Sequence, residues 1–264
     1  MVDPTSVDLT SLRFATNGGE PVRWSTIETF ERRFGLDRVI APGYGLAEAT
    51  LGVTTNAPGD EIVVDSRGNV SCGKPRPGTE VRIDGDGSSP GEILFRGPFV
   101  FAGYVDSPNE TRNRLRDGWL HTGDVGYLDA EGRLFVLGRQ SGMIKRGGAV
   151  VAPRELEEAA QGVDEVRLAA AVSVPARSES EEAVAIVVET DRSDDPESTE
   201  RLAKSVSQAI VETSGFAPGQ VVVVPPRTIP LSSNGKVRHG RVRELLLEGR
   251  LIRPAPEAAR ASEG

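Results

Sequence analysis

The chain has 264 residues, enough for one large or two ordinary domains, and 38% of its residues are hydrophobic. Its formal net charge is −8 at pH 7, which argues against a nonspecific nucleic-acid binder or a membrane-surface protein, because both need a basic face. The single cysteine, Cys72, excludes an intrachain disulfide and fits a reducing compartment. No apolar run approaches a membrane span and the acidic N-terminus lacks a signal-peptide pattern, so the sequence predicts a cytoplasmic protein.

A strand, a glycine loop and a helix are predicted at the start of the chain. The strand candidate covers residues 12–15, and a tight loop follows at residues 16–21. Ser25, with Glu28 three residues later, has the spacing of a capping box and predicts a helix that ends at Gly35. This arrangement can present backbone N–H groups to a ligand, although most such loops are only tight turns.

A tyrosine between two glycines follows the next strand candidate, at residues 39–40. The ring of Tyr44 has no large neighbour at Gly43 or Gly45, which suits stacking on a flat heterocycle. Glu48, four residues on, carries a hard carboxylate that can bind Mg²⁺. The alternative is a strand end with a packed tyrosine, which the segment alone favours.

Short strands at close spacing between residues 61 and 137 predict a small β-barrel or sandwich. One helix interrupts the pattern, where Ser107 and Glu110 form a second capping box with Pro108 at the first helical position. The first strands of this set are predicted at residues 61–64, 79–83 and 92–96.

A hairpin is predicted from strand candidates at residues 126–128 and 134–137, joined by a turn at residues 129–132. Asp124 precedes the hairpin and Arg139 follows it, so an acid and a base at its two ends can reach one polar ligand. A surface hairpin with a salt bridge is the other interpretation, and the stretch alone does not decide between them.

The pattern changes at a glycine-flanked joint, residues 138–142, about which the following segment can swing. The sequence is divided into a partial core with a β-barrel subdomain (residues 1–140), a small α+β domain (141–253) and a tail predicted to be disordered (254–264). Helices of the second domain are predicted at Pro153–Gln161, 197–213 and 241–248, and strands at 166–174, 183–189 and Gln220–Val224.

A lysine in a tight turn lies near the end of the chain. Lys236 follows the sequence Ser-Asn-Gly and can reach a neighbouring cleft as a point charge, or it is simply an exposed lysine in a basic patch. His121 and His239 form no metal-binding pattern and are interpreted as structural residues. Cys72 is interpreted as a packing residue.

Seven motifs occur in order, and together they resemble the later core motifs of the adenylate-forming superfamily, which includes acyl-CoA synthetases, nonribosomal peptide adenylation domains and luciferases. The resemblance covers residues 9–251, and YGLAEATL followed by VSCGKPRPG is most similar to the fatty-acyl-AMP ligase branch. The motifs are GGEP at 18–21, YGLAEATL at 44–51, GEILFRGPFVFAGY at 91–104, WLHTGD at 119–124, GRLFVLGR at 132–139, IKRGG at 144–148 and PLSSNGK at 230–236.

The resemblance implies a fold and an activity. The fold is α/β and α+β: the end of a large AMP-binding core, with a small β-barrel subdomain, followed by a small mobile three-stranded α+β domain. The activity is that of an ATP-dependent fatty-acyl-AMP ligase, which converts a fatty acid or another carboxylic acid into an acyl-adenylate. The acceptor would be a carrier-protein phosphopantetheine or CoA, and the implied cofactors are ATP and Mg²⁺.

The resemblance also implies a nucleotide site. Tyr44, with Gly45 beside it, would stack on adenine. Asp124 would accept hydrogen bonds from the ribose hydroxyls, and Arg139 would add a donor there. One wall of the adenine pocket would be formed by Gly18, Gly19, Glu20 and Pro21.

Three further residues receive roles from the resemblance. Glu48 would bind Mg²⁺, and Lys236 would be the adenylation lysine, which contacts the acyl carboxylate and the α-phosphate. Ser141 would be the hinge for rotation of the C-terminal domain, although the family usually has Asp or Lys at that position.

The family's phosphate-binding loop and most of its acyl pocket lie upstream of the first motif found here. The sequence is therefore predicted to be a C-terminal portion that is inactive alone, either excised from a longer protein or working beside a separate N-terminal half. One alternative is a truncated, non-catalytic relic that binds a nucleotide or a partner. The other is a fragment of an acyl-CoA ligase.

Overall fold

The computed structural model describes residues 7–85, 89–146, 149–175, 182–233 and 235–251. The chain has a mixed α/β fold that separates into two compact units, one on each side of the Ser141–Gly142 bond. The tail at residues 254–264, predicted to be disordered, lies outside the described residues.

The first unit begins with a four-stranded sheet of order β1-β2-β3-β4. Strand β1 (Ala15–Asn17) pairs in parallel with β2 (Ile40–Tyr44), and helix α1 (Trp24–Phe34) connects them. Strands β3 (Thr54–Thr55) and β4 (Lys74–Pro75) extend the sheet in antiparallel pairs. The predicted strand–loop–helix order is confirmed, but the strand covers Ala15–Asn17 rather than residues 12–15, and the glycine loop follows it.

The capping box predicted for helix α1 is wrong. Arg23 occupies the N-cap position in an extended conformation, without a side-chain capping bond. Its carbonyl accepts the N–H of Thr26 at 3.1 Å, which places Ser25 inside the first turn rather than at the cap. Gly35 ends the helix in the left-handed conformation, with φ of 63°, as predicted.

The second sheet of this unit has five strands, all in antiparallel pairs. Its longest strand, β8, pairs with β6 on one side and with both β7 and β9 on the other. In the described part of the chain the path ends at β5 and β7, so the strands form an open sheet. The strands are β5 (Glu80–Ile83), β6 (Gly91–Arg96), β7 (Leu115–Arg116), β8 (Trp119–Leu128) and β9 (Leu134–Arg139).

Two local predictions for this region are wrong. Residues 61–64 form no strand, because the turn that follows Val64 leaves only an isolated bridge between Val64 and Val70. Helix α2 (Pro108–Arg114) has proline at its first position, as predicted, but Ser107 makes no side-chain capping bond. Its backbone carbonyl instead accepts the N–H of Thr111 at 3.0 Å.

The β8–β9 hairpin is confirmed. The Asp129 carboxylate closes its turn by accepting the backbone N–H groups of Glu131 at 3.0 Å and Arg133 at 2.8 Å. The Arg133 Nε atom donates to the same carboxylate at 2.6 Å. This short polar turn fixes the register in which the two strands pair.

The second unit contains the predicted three-stranded sheet, in the order β12-β13-β14, together with three helices. Strands β12 and β13 are antiparallel, whereas β13 and β14 are parallel. A short hairpin of β10 and β11, which the sequence did not predict, comes first. The elements are β10 (Ile144–Arg146), β11 (Ala149–Val151), α3 (Pro153–Gln161), β12 (Leu168–Pro175), β13 (Glu182–Glu189), α4 (Pro196–Ser214), β14 (Gln220–Val224) and α5 (His239–Leu247).

The central strand β13 is buried on both faces. Ile186 packs in the cluster that contains Leu156 of α3 and Val206 of α4. Val187, on the opposite face, packs in the cluster that contains Val242 of α5. Alternate residues of one strand therefore anchor the helices on both sides of the sheet.

A buried carboxylate joins three elements of the second unit. Strand β12 is an edge strand, and Glu157 of α3 accepts the N–H of Ala171 at 2.9 Å. The same Glu157 oxygen lies 2.6 Å from Nε2 of His239, at the start of α5. Burial alone would lower the pKa of His239, but the hydrogen bond and the charge of Glu157 raise it.

We expect Glu157→Ala to lower the free energy of unfolding by about 1–3 kcal/mol, because the Ala171 N–H would lose its partner. Urea denaturation at pH 6 measures this change. Glu200→Ala, which removes an exposed carboxylate paired with Lys204, should leave the free energy of unfolding close to the wild-type value. Equal effects of the two substitutions would contradict the buried role of Glu157.

The His239–Glu157 pair also predicts a pH dependence. Because the folded-state pKa of His239 is above its ordinary value of 6.5, the pair stabilises the fold fully below that value. The stabilisation is lost as the pH rises through the folded-state pKa. The free energy of unfolding should therefore fall between pH 6 and pH 8, and less so in His239→Gln. Urea titrations at both pH values test this, and an unchanged pH dependence in the variant would refute it.

Candidate functional site

A buried carboxylate lies at the centre of the predicted site in the first unit. Asp124, in β8, is 6% exposed. Tyr44 Oη donates to its Oδ2 at 2.6 Å, and Arg139 Nε pairs with its Oδ1 at 2.8 Å. Arg139 lies directly opposite Asp124 in the β8–β9 register, and Tyr44 ends β2. The structure therefore joins Tyr44 to Asp124 and Arg139, which the sequence had placed at the two ends of one hairpin.

The electrostatics of this cluster follow from burial and pairing. Burial raises the pKa of Asp124, and the hydrogen bond from Tyr44 and the charge of Arg139 oppose this rise. Burial and the neighbouring carboxylate raise the pKa of Tyr44, so its hydroxyl remains protonated and donates. Thr122 fixes the strand beside them, because its Oγ1 donates to Ile93 O at 2.7 Å and accepts from Asp124 N at 3.1 Å.

The Asp124 carboxylate can accept further hydrogen bonds. An ionised carboxylate has about four acceptor positions, two on each oxygen. Tyr44 and Arg139 each engage a different oxygen, and each bond uses one position. The unused positions match in number the donors of a ligand with two neighbouring hydroxyl groups.

A second carboxylate, Glu48, lies in the 3₁₀ turn Ala47–Ala49, shortly after Tyr44. Its Oε1 accepts a hydrogen bond of 2.5 Å from Tyr104 Oη. Burial alone would raise the pKa of Glu48, but that hydrogen bond and nearby guanidinium groups lower it below its ordinary value. Burial and the bond to Glu48 raise the pKa of Tyr104 to about 12. Glu48 is therefore an oriented anion whose charge also acts on Asp124.

The sequence analysis assigned no role to Tyr104, although it ended one of the quoted motifs. The signal that was available is its position as the last residue of GEILFRGPFVFAGY. Its partner lies 56 residues earlier, so only the fold shows the contact. The N–H of Phe101 also donates to Glu48 O at 2.8 Å, which holds the two loops together.

Glycines bring the backbones around Tyr44 close together. A Cβ atom at Gly18 would lie 2.7 Å from Gly43 O, so the loop after β1 lies beside the tyrosine segment. A Cβ atom at Gly45 would lie 1.2 Å from Leu51 O, so the segment from Gly45 to Leu51 closes only around a glycine. At both positions a glycine is needed because a neighbouring backbone carbonyl occupies the space of a Cβ atom.

The other predicted residues lie in three exposed or half-buried segments. Gly19 and Glu20 are exposed in the loop between β1 and α1, and Pro21 is half-buried there. Ser141 is exposed, next to the division between the units. Lys236 is exposed in the second unit, in a turn closed by Ser232 N to Lys236 O at 2.8 Å.

Neither histidine takes part in this site. His121 Nδ1 lies 2.9 Å from Glu92 Oε2 and 2.8 Å from Arg116, so its contacts are structural. His239 pairs with Glu157 in the second unit. Cys72 is buried, as a packing residue would be. Among the described residues, no three or more His, Cys, Asp or Glu side chains are grouped as metal ligands.

Comparison with known proteins agrees with the sequence motifs. Residues 2–105 match the family model described as AMP-binding enzyme. The medium/long-chain-fatty-acid–CoA ligase FadD8 of Mycobacterium tuberculosis (strain ATCC 25618 / H37Rv) is 32% identical, over 94% of this chain and 44% of its own length. The long-chain-fatty-acid–AMP ligase FadD28 of Mycobacterium tuberculosis (strain CDC 1551 / Oshkosh) is 29% identical, over 90% of this chain and 48% of its own length.

Solved structures show the same relationship. The amide bond synthetase McbA from Marinactinospora thermotolerans is 30% identical, with a TM-score of 0.73, over 90% of this chain and 47% of that protein. The chain therefore belongs to the adenylate-forming superfamily. It spans about half the length of the curated relatives it matches.

In the part of the chain that the structure describes, none of the helices combines the length and the apolar character needed to span a bilayer.

We expect Gly45→Ala to lower the melting temperature by several degrees, because the added methyl group overlaps the Leu51 carbonyl. Differential scanning fluorimetry measures the shift. Gly142→Ala is the matched control, since a Cβ atom there would meet nothing within 4 Å. If both variants melt at the wild-type temperature, the close approach at Gly45 does not constrain the fold.

Proposed function

We propose that this chain carries the nucleoside-binding residues and the adenylation lysine of an ATP-dependent fatty-acyl-AMP ligase. The observation that supports this most directly is the buried Asp124, held between Tyr44 and Arg139 with acceptor positions to spare. A vicinal diol such as that of ribose satisfies those positions. The enzyme would activate a fatty acid as an acyl-adenylate and transfer the acyl group to a thiol.

The proposed nucleotide contacts use the chemistry of each residue. Asp124 accepts the ribose hydroxyls, with Arg139 as an added donor. Tyr44 positions Asp124 through its hydroxyl and offers a ring face to adenine. The adenine wall is assigned to Gly18, Gly19, Glu20 and Pro21, whose loop lies beside the tyrosine segment.

We assign Mg²⁺ to Glu48. Mg²⁺ is usually held by one or two carboxylates together with substrate phosphates, so a single oriented carboxylate fits this ion. The hydrogen bond from Tyr104 fixes the direction of the Glu48 carboxylate and keeps it ionised. When bound, the ion would offset the negative charge of the phosphates.

Lys236 is proposed to be the adenylation lysine. Its ammonium would offset charge as the carboxylate attacks the α-phosphorus, and the phosphorus–oxygen bond to pyrophosphate breaks. The tight turn that carries it, closed at Ser232, exposes the side chain. Ser141 is proposed as the hinge about which the C-terminal domain rotates between the two half-reactions of the family.

The identity of the thiol acceptor and the branch of the family are also proposals. Relatives named as CoA ligases and as an AMP ligase both match, so an acyl-CoA ligase remains the second candidate. In either case, the phosphate loop and most of the acyl pocket would come from polypeptide outside these 264 residues. With its single cysteine, the chain suits the cytoplasm.

We expect Asp124→Asn to weaken AMP binding about tenfold, because charged hydrogen bonds to the ribose are replaced by neutral ones. Isothermal titration calorimetry on the 264-residue chain measures the affinity. Asp117→Asn, in the exposed turn between β7 and β8, is the matched control, and asparagine tolerates its positive φ of 52°. Unchanged AMP affinity in Asp124→Asn would argue against the ribose contact.

We expect this chain alone to show no exchange of radiolabelled pyrophosphate into ATP in the presence of a fatty acid. Once a segment that supplies the phosphate loop restores exchange, Lys236→Ala should reduce it by about 10²–10³-fold or more. Transfer from preformed acyl-AMP should be largely retained. Exchange at an ordinary enzymatic rate by the chain alone would refute the need for a second half, and equal loss of both steps would refute the role of Lys236.

A further inference from the structure

A guanidinium group that no motif identified lies beside the strand segment that carries Asp124. Arg114 is the last residue of helix α2, and it is half-buried. Its Nη1 donates to His121 O at 3.1 Å. A Cβ atom at Gly123 would lie 2.7 Å from the same Nη1, so the guanidinium lies against the backbone that immediately precedes Asp124.

The local backbone leaves space for this side chain. Gly123 has a φ of 72°, a conformation that glycine adopts readily, and it has no side chain to displace the guanidinium. The hydrogen bond to His121 O uses one of the five N–H donors of an arginine side chain. The guanidinium can therefore be held in place by the protein and still donate to a ligand.

The charge of Arg114 acts on Asp124, because it opposes the rise that burial causes in the pKa of that carboxyl group. Together with its contacts at His121 and Gly123, this makes Arg114 a cation beside the proposed ribose contact. In a nucleotide, the 5′-phosphate is attached to the ribose.

We propose that Arg114 binds the 5′-phosphate of the nucleotide. This inference rests on the proposed function, since it takes Asp124 as the ribose contact. An arginine fork suits a phosphate, because two N–H groups can donate to two phosphate oxygens. Arg114 would thus make the site prefer a nucleotide over a nucleoside.

The test compares AMP with adenosine, which differ only in the phosphate. Isothermal titration calorimetry on the 264-residue chain at low salt measures both affinities for the wild type, Arg114→Gln and Arg112→Gln. Arg112 is the matched control, because it lies exposed on the same helix and pairs with Asn109. Arg114→Gln should weaken AMP binding about tenfold and leave adenosine binding within twofold. Arg112→Gln should leave both affinities within twofold.

Two further variants, Arg114→Lys and Arg114→Met, test the inference if Arg114→Gln destabilises the fold. Lysine retains the charge and should retain part of the preference for AMP, whereas methionine retains only the stem and should lose that preference. Melting temperatures identify the folded variants. A role that is only structural would weaken AMP and adenosine binding equally.

The outcomes separate this inference from the proposed function. If the wild type prefers AMP and the Arg114 variants keep that preference, Arg114 does not bind the phosphate, although the nucleotide site stands. If the wild type binds both compounds equally, no cation in this chain recognises the phosphate, and the inference fails. If the wild type binds neither compound, both the inference and the proposed nucleotide site fail.

Discussion

The candidate site depends on keeping one charged carboxylate away from water. A buried, ionised Asp124 is unfavourable unless donors surround it, and the fold supplies Tyr44 on one oxygen and Arg139 on the other. The two donors come from different sheets of the first unit, because Tyr44 ends β2 and Arg139 ends β9. The cluster therefore forms only when both sheets are folded, and the contacts of Tyr44 and Arg139 with Asp124 connect the two sheets.

Strand β8, which carries that carboxylate, pairs irregularly on both sides. The ladder with β9 shifts register between Val125 and Gly126, and the ladder with β6 shifts between Glu92 and Leu94. Such irregularities bend a strand and redirect its side chains. Gly126 allows the bend, because a Cβ atom there would lie 2.4 Å from Phe135 O. Asp124 keeps the alternation that buries Leu120 and Thr122, and the irregular pairing with β9 begins only after Val125.

The parts of the site that depend on local sequence patterns were predicted correctly. The β8–β9 hairpin placed Asp124 and Arg139 at corresponding ends, and the strand register then made them neighbours. The prediction at Ser25 was wrong, because a capping-box spacing does not tell which residue has the extended cap conformation. The bond between Tyr104 and Glu48 and the position of Arg114 beside Gly123 were not predicted, because both depend on long-range packing of loops that no periodicity encodes.

The charges of the site also explain why the proposed function requires additional cations. Glu48 and Asp124 contribute two negative charges, and Arg139 and Arg114 contribute two positive charges that act on them. The four groups therefore balance among themselves before any phosphate is added. A triphosphate adds several negative charges, which this balance cannot offset. The cations that the proposal assigns, Mg²⁺ at Glu48 and the ammonium of Lys236, have the sign that is needed. Any phosphate therefore needs positive charge from beyond these four residues, and the need is greatest for the triphosphate of the proposed reaction.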